Sequence, residues 1–269
     1  MTRRQVGTVA ELWRYPVKSM RGERVAEVMV TERGAAGDRL WAMRELKYGG
    51  IMSARLFAAM LQLRATCESQ PASATTPRVR IELPDGATIH AGDPGADEIL
   101  SSLFGFAVRL ERPREGPLTM EEIAAIRDGR AFLPPRDLYD EDVLHVLASG
   151  TLAHLRQLRR GDSDFDVRRF RPNIYVDTGS RADCFVEDEW LGGELEIGAD
   201  GMRVVGMRPA LRCALTIHAQ AEFGPDPAIL RTAARHHDAY VGVFASVGAP
   251  GRIRIDDPVW LLTERSAAC

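Results

Sequence analysis

A chain of 269 residues with 45% apolar and 27% charged side chains is long enough to bury one large core or two joined ones. A formal net charge of −3 and a pI near 6.1 argue against a dedicated binder of nucleic acid or membrane surfaces. No run of eighteen apolar residues is present to cross a membrane, and the basic start "MTRRQVGTVAELWRYPVKS" has no apolar signal core, so the expected location is cytoplasmic.

The first 45 residues alternate apolar and polar side chains and read as strands: "VGTVAELWRYPV", "ERVAEVMVTERG" and "DRLWAMREL", broken at Pro16, Gly22 and Gly34. "SARLFAAMLQLRATC" fits either a short helix or an extended buried run. "RVRIELPDGATIH" is a hairpin about Pro84-Asp85-Gly86, followed by a short helix in "ADEILSSLFG" and a strand in "FAVRLE". The proline-rich stretch 112–140 is expected to be a domain boundary or a lid over a pocket.

Beyond it, "VLHVLASGTLAHLRQLRRG" reads as strand, turn and helix, capped by Ser149 or Thr151. "VRRFRPNIYVD" reads as a strand that Pro172 places at an edge or a bulge. A hairpin in "GELEIGADGMRVVGM", a helix in "DPAILRTAARHH" and closing strands in "AYVGVFASV", "GRIRI" and "DPVWLLT" complete the order. Short strands outnumber helices, so the fold class is mostly β (α+β), a barrel with appended helices.

Four cysteines, Cys67, Cys184, Cys213 and Cys269, form no C-x-x-C pair, which argues against a zinc knuckle or a self-contained iron–sulfur cluster. Cys213 follows Arg212 in "MRPALRC", and Arg208 is near in sequence; cations of this kind lower a thiol pKa. Neighbours on a strand face opposite ways, so on spacing alone the reading of Cys213 as a buried small hydrophobe wins.

A second constellation is basic and polar: Lys18 and Ser19 in "YPVKS", Asp38 and Arg39 in "GDR", Ser149 and Thr151 in "ASGT", and Arg169, Arg171 and Asn173 in "RRFRPN". Lysine supplies a point charge and arginine a planar fork, a pairing suited to a phosphate monoester. A helix starting at "SGT" would aim free N–H groups at the same anion. Adjacent His236 and His237 face about 100° apart on a helix and make no two-ligand face. "EDEW" reads as a solvated turn before a packed tryptophan. No G-x-S-x-G, P-loop or G-x-G-x-x-G is present.

In order, "LWRYPVKSMRGERV", "ERGAAGDRLWAMRE", "RRFRPNIYVD", "MRPALRC" and "YVGVFASVGAPGRIRIDDPVWLL" resemble MOSC-domain proteins with an N-terminal β-barrel partner. That group includes amidoxime-reducing components and bacterial reductases of hydroxylated purines. The resemblance spans about residues 7–263 and implies an N-terminal barrel domain at 1–112 and a MOSC domain at 113–269, with the first strands available to complete the second domain.

It also implies a molybdenum–molybdopterin cofactor, with Cys213 as the metal's protein ligand, and no iron–sulfur cluster. Lys18, Ser19, Arg39, Ser149, Thr151, Arg171, Asn173 and Arg212 would hold the pterin phosphate and polar edge. The implied activity is reductive removal of oxygen from N-hydroxylated or N-oxide small molecules. Electrons would come from a separate protein, a ferredoxin, a cytochrome b5-like carrier or a flavoprotein, with no nucleic-acid or membrane partner. Alternatives within the resemblance are a cofactor or sulfur carrier, or a diverged member without molybdenum. After Cys213, "ALTIHAQAEFGPD" departs from the Asp-Pro turn of many relatives, which implies a reshaped pocket.

Overall fold

The computed structural model describes residues 1–47, 49–71, 76–112, 143–159 and 161–264. The expected boundary or lid at 112–140 lies outside the described residues from 113 onward. The chain begins with β1 (Thr2–Arg14), β2 (Glu23–Val25), β3 (Glu27–Thr31), β4 (Gly34–Ala35) and β5 (Ala42–Glu45). A single 3-10 turn (Ala58–Gln62) leads to β6 (Arg64–Cys67), then β7 (Val79–Glu82), β8 (Thr88–His90), helix α1 (Ala96–Phe104) and β9 (Val108–Glu111). The open choice over "SARLFAAMLQLRATC" thus resolves into a turn and then a strand.

The second half runs β10 (Leu144–Ala148), α2 (Ser149–Arg159), the one-turn α3 (Val167–Phe170), β11 (Ile174–Asp177), β12 (Glu194–Ile197) and β13 (Met202–Leu211). It continues with α4 (Pro227–His237), β14 (Tyr240–Ala249), β15 (Gly251–Arg254) and β16 (Pro258–Thr263). Four α-helices stand against sixteen strands among the described residues, so the protein is mostly β.

Seven strands close a barrel in the order β1–β11–β10–β14–β13–β12–β16 and back to β1. Closure removes both free edges. All five residues of β10 are buried, as expected of a strand covered on both faces, by the barrel interior and by helices outside. In β1 the buried Val6, Val9 and Leu12 recur every third residue. The cause lies in two register shifts, at Val6 against β16 and at Ala10 against β11, each inserting one residue into the alternation. Strands β10 and β11 are parallel, and α2 makes the crossover between them.

The N-terminal half builds smaller sheets, β5–β9 and β6–β7–β8, over a second core of Val17, Met20, Met43, Met60, Leu63, Ile81 and Leu100. The halves exchange strands: β1 lies inside the C-terminal barrel, and β15 pairs back onto β3. A third apolar cluster (Leu152, Leu155, Phe165, Phe170, Ile229) seats α2 and α4 on the barrel's outer face. No helix among the described residues is long and apolar enough to cross a membrane.

Two expectations need correction. "VRRFRPNIYVD" is not one strand, because Val167–Phe170 forms a helical turn and β11 starts only at Ile174. Pro172 therefore precedes the strand and costs no ladder bond, which lets β11 lie between β10 and β1 in the closed barrel rather than at an edge. "EDEW" is only partly a solvated turn: Trp190 is buried as expected, but so is Glu187.

Candidate functional site

Three short loops meet around Tyr15, the first residue past β1. Its N–H donates to Asp38 Oδ1 at 2.6 Å, its carbonyl accepts the Arg39 N–H at 2.9 Å, and its hydroxyl donates to the Pro172 carbonyl at 3.2 Å. The Arg171 guanidinium lies over its ring, 4.0 Å from the centroid. One buried side chain thus ties "YPVKS", "GDR" and "RRFRPN" together. The Lys18 N–H donates to the Trp41 carbonyl, which fixes the loop that presents Lys18 and the buried Ser19.

Among the described residues six non-glycine residues have positive φ, and three of them are Ser19 (67°), Arg39 (48°) and Arg171 (55°). Each left-handed L-residue costs roughly 1–2 kcal/mol. Two more, Asp238 and Ala239, form the turn whose carbonyl, on Ala239, accepts the Arg212 N–H. Half of these left-handed residues are thus ones that the sequence nominates.

Successive residues of "RRFRPN" each hold a different part. Arg169 is buried and donates to the carbonyls of Thr216, His218 and Gly224, pinning the loop that follows Cys213. The Phe170 carbonyl accepts from Arg212 Nη2 at 2.6 Å. Arg171 Nη1 donates to the Met20 carbonyl at 2.6 Å. Asn173 brackets the barrel: its Oδ1 accepts the His145 N–H on β10, and its Nδ2 donates to the Trp13 carbonyl on β1.

Cys213 lies two residues past β13 and is exposed, unlike Cys67 and Cys184, which are only partly accessible. The expectation of a buried small hydrophobe therefore fits Cys67 better; burial pushes its thiol up to about 12. After Cys213 a 3-10 turn (Ala214–Ile217) begins, with Thr216 Oγ1 donating to the Cys213 carbonyl.

Charge in the cluster is net positive: Asp38, its one carboxylate, ion-pairs Arg39 at 2.7 Å and partly offsets Arg171. Arg171 and Arg212 hydrogen-bond only backbone carbonyls among the described residues, and Arg212 Nε is buried with no partner. Burial pushes the Arg212 guanidinium down to about 10; Cys213 opposes that and Arg171 adds to it. Burial also lowers Arg171, with Tyr15 opposing and Arg39 reinforcing. His145 is pushed down to about 3 by burial and then by Arg212, which keeps it neutral, and its Nδ1 is also without a partner. Its Nε2 contacts the Val241 carbonyl beside Gly242 (φ 82°), where a Cβ would come within 2.3 Å of that nitrogen. Partly desolvated cations that outnumber their carboxylates are suited to an added anion. In this cluster they stand beside an accessible thiol.

Ser149 and Thr151 are placed differently. Ser149 Oγ accepts from the Thr178 N–H, and the Gly150 N–H donates to Thr178 Oγ1, so the first turn of α2 is tied to its own barrel. Thr151 is buried, donates to Glu187 Oε2 and accepts from the Val186 N–H. The structure brings Lys18, Ser19, Arg39, Arg171, Arg212 and Cys213 to loops tied through Tyr15, Met20 and Phe170, and spends the side chains of Ser149, Thr151 and Asn173 on internal bonds. His237 is also occupied, stacked on Phe185 at 3.8 Å and bonded to Asp188 and the Tyr240 carbonyl. Among the described residues no three His, Cys, Asp or Glu side chains gather to hold a metal.

Sequence reasoning missed Tyr15 and His145. Tyr15 carried a signal, an aromatic fixed before Pro16 in a polar loop; His145 carried none, since one histidine in an apolar strand reads as core.

Two family models match the chain: the MOSC N-terminal beta barrel domain over residues 6–98 and the MOSC domain over 134–260. The chain is 26% identical to mitochondrial amidoxime-reducing component 1 of Homo sapiens, across 96% of this chain and 84% of that one. It is also 26% identical to mitochondrial amidoxime reducing component 2 of Rattus norvegicus, across 97% and 85%. Among solved structures, the YUAD protein of Bacillus subtilis shares the fold with a TM-score of 0.52 at 10% identity, covering 98% of this chain and 99% of that one.

Proposed function

The chain belongs to the MOSC family and carries its N-terminal β-barrel partner, and on that premise we propose that it is a molybdenum-cofactor-dependent reductase of N-hydroxylated or N-oxide small molecules. The observation that carries the reading is the half-buried pair Arg171 and Arg212, neither in a direct ion pair among the described residues, beside the exposed Cys213. A phosphate-bearing pterin fits that pair, because it supplies the missing anion and gives Arg212 Nε an acceptor. A lone thiolate fits a metal whose other ligands arrive with the cofactor.

In this reading Lys18, Arg39, Arg171 and Arg212 hold the phosphate and polar edge, Ser19 closes the loop over them, and Cys213 ligates the metal. Tyr15 is a positioning residue, since it touches all three loops. Asn173, Ser149 and Thr151 set the strands from which those loops spring. The bound cofactor supplies a two-electron step that removes the oxygen of an N–O bond, released as water when two electrons and two protons are delivered.

Those electrons come from a separate carrier, a ferredoxin, cytochrome b5-like protein or flavoprotein. The free thiols suit a reducing compartment such as the cytoplasm. The proposed division is 1–112 and 113–269, with β1 lent to the second barrel.

The test is molybdenum and pterin per chain, with benzamidoxime turnover under a chemical reductant, for wild type and Cys213→Ser made in cofactor-producing cells. Near-stoichiometric metal in wild type, with turnover lost but pterin retained in Cys213→Ser, supports the assignment. Folded wild type with neither molybdenum nor pterin overturns it.

A further inference from the structure

A second cleft opens beside the cluster, with a volume of about 110 Å³. It shares Tyr15 and Arg171 with the site above but is lined by none of Lys18, Arg39, Arg212 or Cys213. Four guanidinium groups face it, from Arg21, Arg64, Arg168 and Arg171, against one carboxylate, Glu222, and one amide, Gln220. Glu222 sits 3.1 Å from Arg21 Nη1 and 3.5 Å from Arg168 Nη1, and Asp166 holds Arg168 at 2.6 Å, so two carboxylates offset part of the charge and leave the cleft net positive.

Hydrogen bonding in this lining is also incomplete. Gln220 is 6% exposed, yet its Nε2 has no acceptor. Arg21 Nε is likewise buried and unpaired. An orphaned buried donor costs about 1–3 kcal/mol, and two in one cleft call for a ligand rich in acceptor oxygens. The loop that supplies Gln220 and Glu222 is rigidly placed: Gln220 and Phe223 exchange backbone bonds, Gln62 Nε2 donates to the Ala219 carbonyl, and Arg169 holds Gly224. Trp13 and Tyr15 give the cleft an aromatic wall.

We infer that this cleft is a binding site for a small phosphate, either free or as the phosphate group of a small organic molecule, bound by Arg21, Arg64, Arg168 and the Gln220 amide. Glu222 is the internal counter-ion that the ligand partly displaces. The site stands on residues separate from the metal ligand and does not require the reductase reading.

The experiment is calorimetric titration of the protein purified from cofactor-producing cells, with inorganic phosphate in one arm and adenosine monophosphate in the other. Saturable binding is expected, weakened about tenfold by Arg64→Ala and about fivefold by Gln220→Leu. Glu222→Gln is expected to tighten it about threefold, an increase that a damaged fold would not give. Tighter binding of the nucleotide assigns the site to an organic phosphate held against the aromatic wall, and equal binding assigns it to phosphate itself. Arg64 is exposed, so its removal leaves the fold in place. The inference is overturned by an absence of saturable heat. It is equally overturned by binding that survives Arg64→Ala and Gln220→Leu but disappears in Lys18→Ala, which would place the anion in the cofactor cluster.

Discussion

At the first turn of α2, the hydroxyls of Ser149, Thr151 and Thr178, the Glu187 carboxyl and the nearby N–H groups satisfy one another. Around Tyr15, the half-buried guanidiniums of Arg171 and Arg212 bond only carbonyls, and the one carboxylate there, Asp38, is paired with Arg39. Both clusters are built from residue types that bind phosphate, and the sequence nominates both. What separates them is whether the protein itself completes the hydrogen bonds and the charge. A closed network holds a fold together, whereas an open one is shaped for something else.

The largest expected effect sharpens this contrast. Arg171→Met removes a partly desolvated charge that has no direct ion pair, so the cofactor-free protein is expected to keep or gain stability, by up to about 2 kcal/mol. Cofactor retention is expected to fall at least about 100-fold. Molybdenum per chain and thermal melting, measured on the same preparation, check both halves. A large loss of stability without the cofactor would break the contrast.

The opposite outcome is expected at the closed cluster. Glu187→Leu strands the Ala148 N–H and the Thr151 hydroxyl, and should cost about 3 kcal/mol in urea unfolding while cofactor per folded chain stays unchanged. A selective loss of cofactor would instead move the α2 turn into the binding site.

Glu187 also carries a pH dependence. Burial pushes its carboxyl up to about 7, against the pull of its bonds from Thr151 and Ala148. The unfolded chain releases this proton near pH 4.3 and the folded one only near 7. The stabilisation is therefore full below about pH 4.3 and is lost as pH rises through 7, at most roughly 3 kcal/mol in all. Glu187→Gln should flatten the stability-against-pH curve across that window, and an unchanged slope would assign the titration elsewhere.

Ser19→Gly is the smallest effect. Relief of a left-handed residue should add up to about 1 kcal/mol, seen as a slightly raised Tm, with a modest loss of cofactor as the loop loosens.

The hairpins β7–β8 and β12–β13 were legible in the sequence because alternation and glycine turns are local signals. The spacing-of-three in β1 was not, since bulges are set by partners far along the chain. Nor was the turn Val167–Phe170: four residues are too few to show a helical period, and Asp166 caps it by bonding the Arg168 N–H. In the site, residue type and motif order nominated the right loops. They did not tell Arg171 from Thr151, because whether a polar group is already satisfied is a property of the packed molecule.

The exchange of strands between the halves has a consequence for how the protein is made. Thr2 and Thr263, 261 residues apart, bond each other across β1 and β16. At a ribosome's pace of about 5–20 residues per second, β1 waits roughly 13–50 s for that neighbour to be synthesised. During the wait its apolar Val6, Val9 and Leu12 and its unpaired backbone groups stand exposed. Cellular yield of this protein should therefore depend on chaperones that shelter nascent chains more than its final stability would indicate.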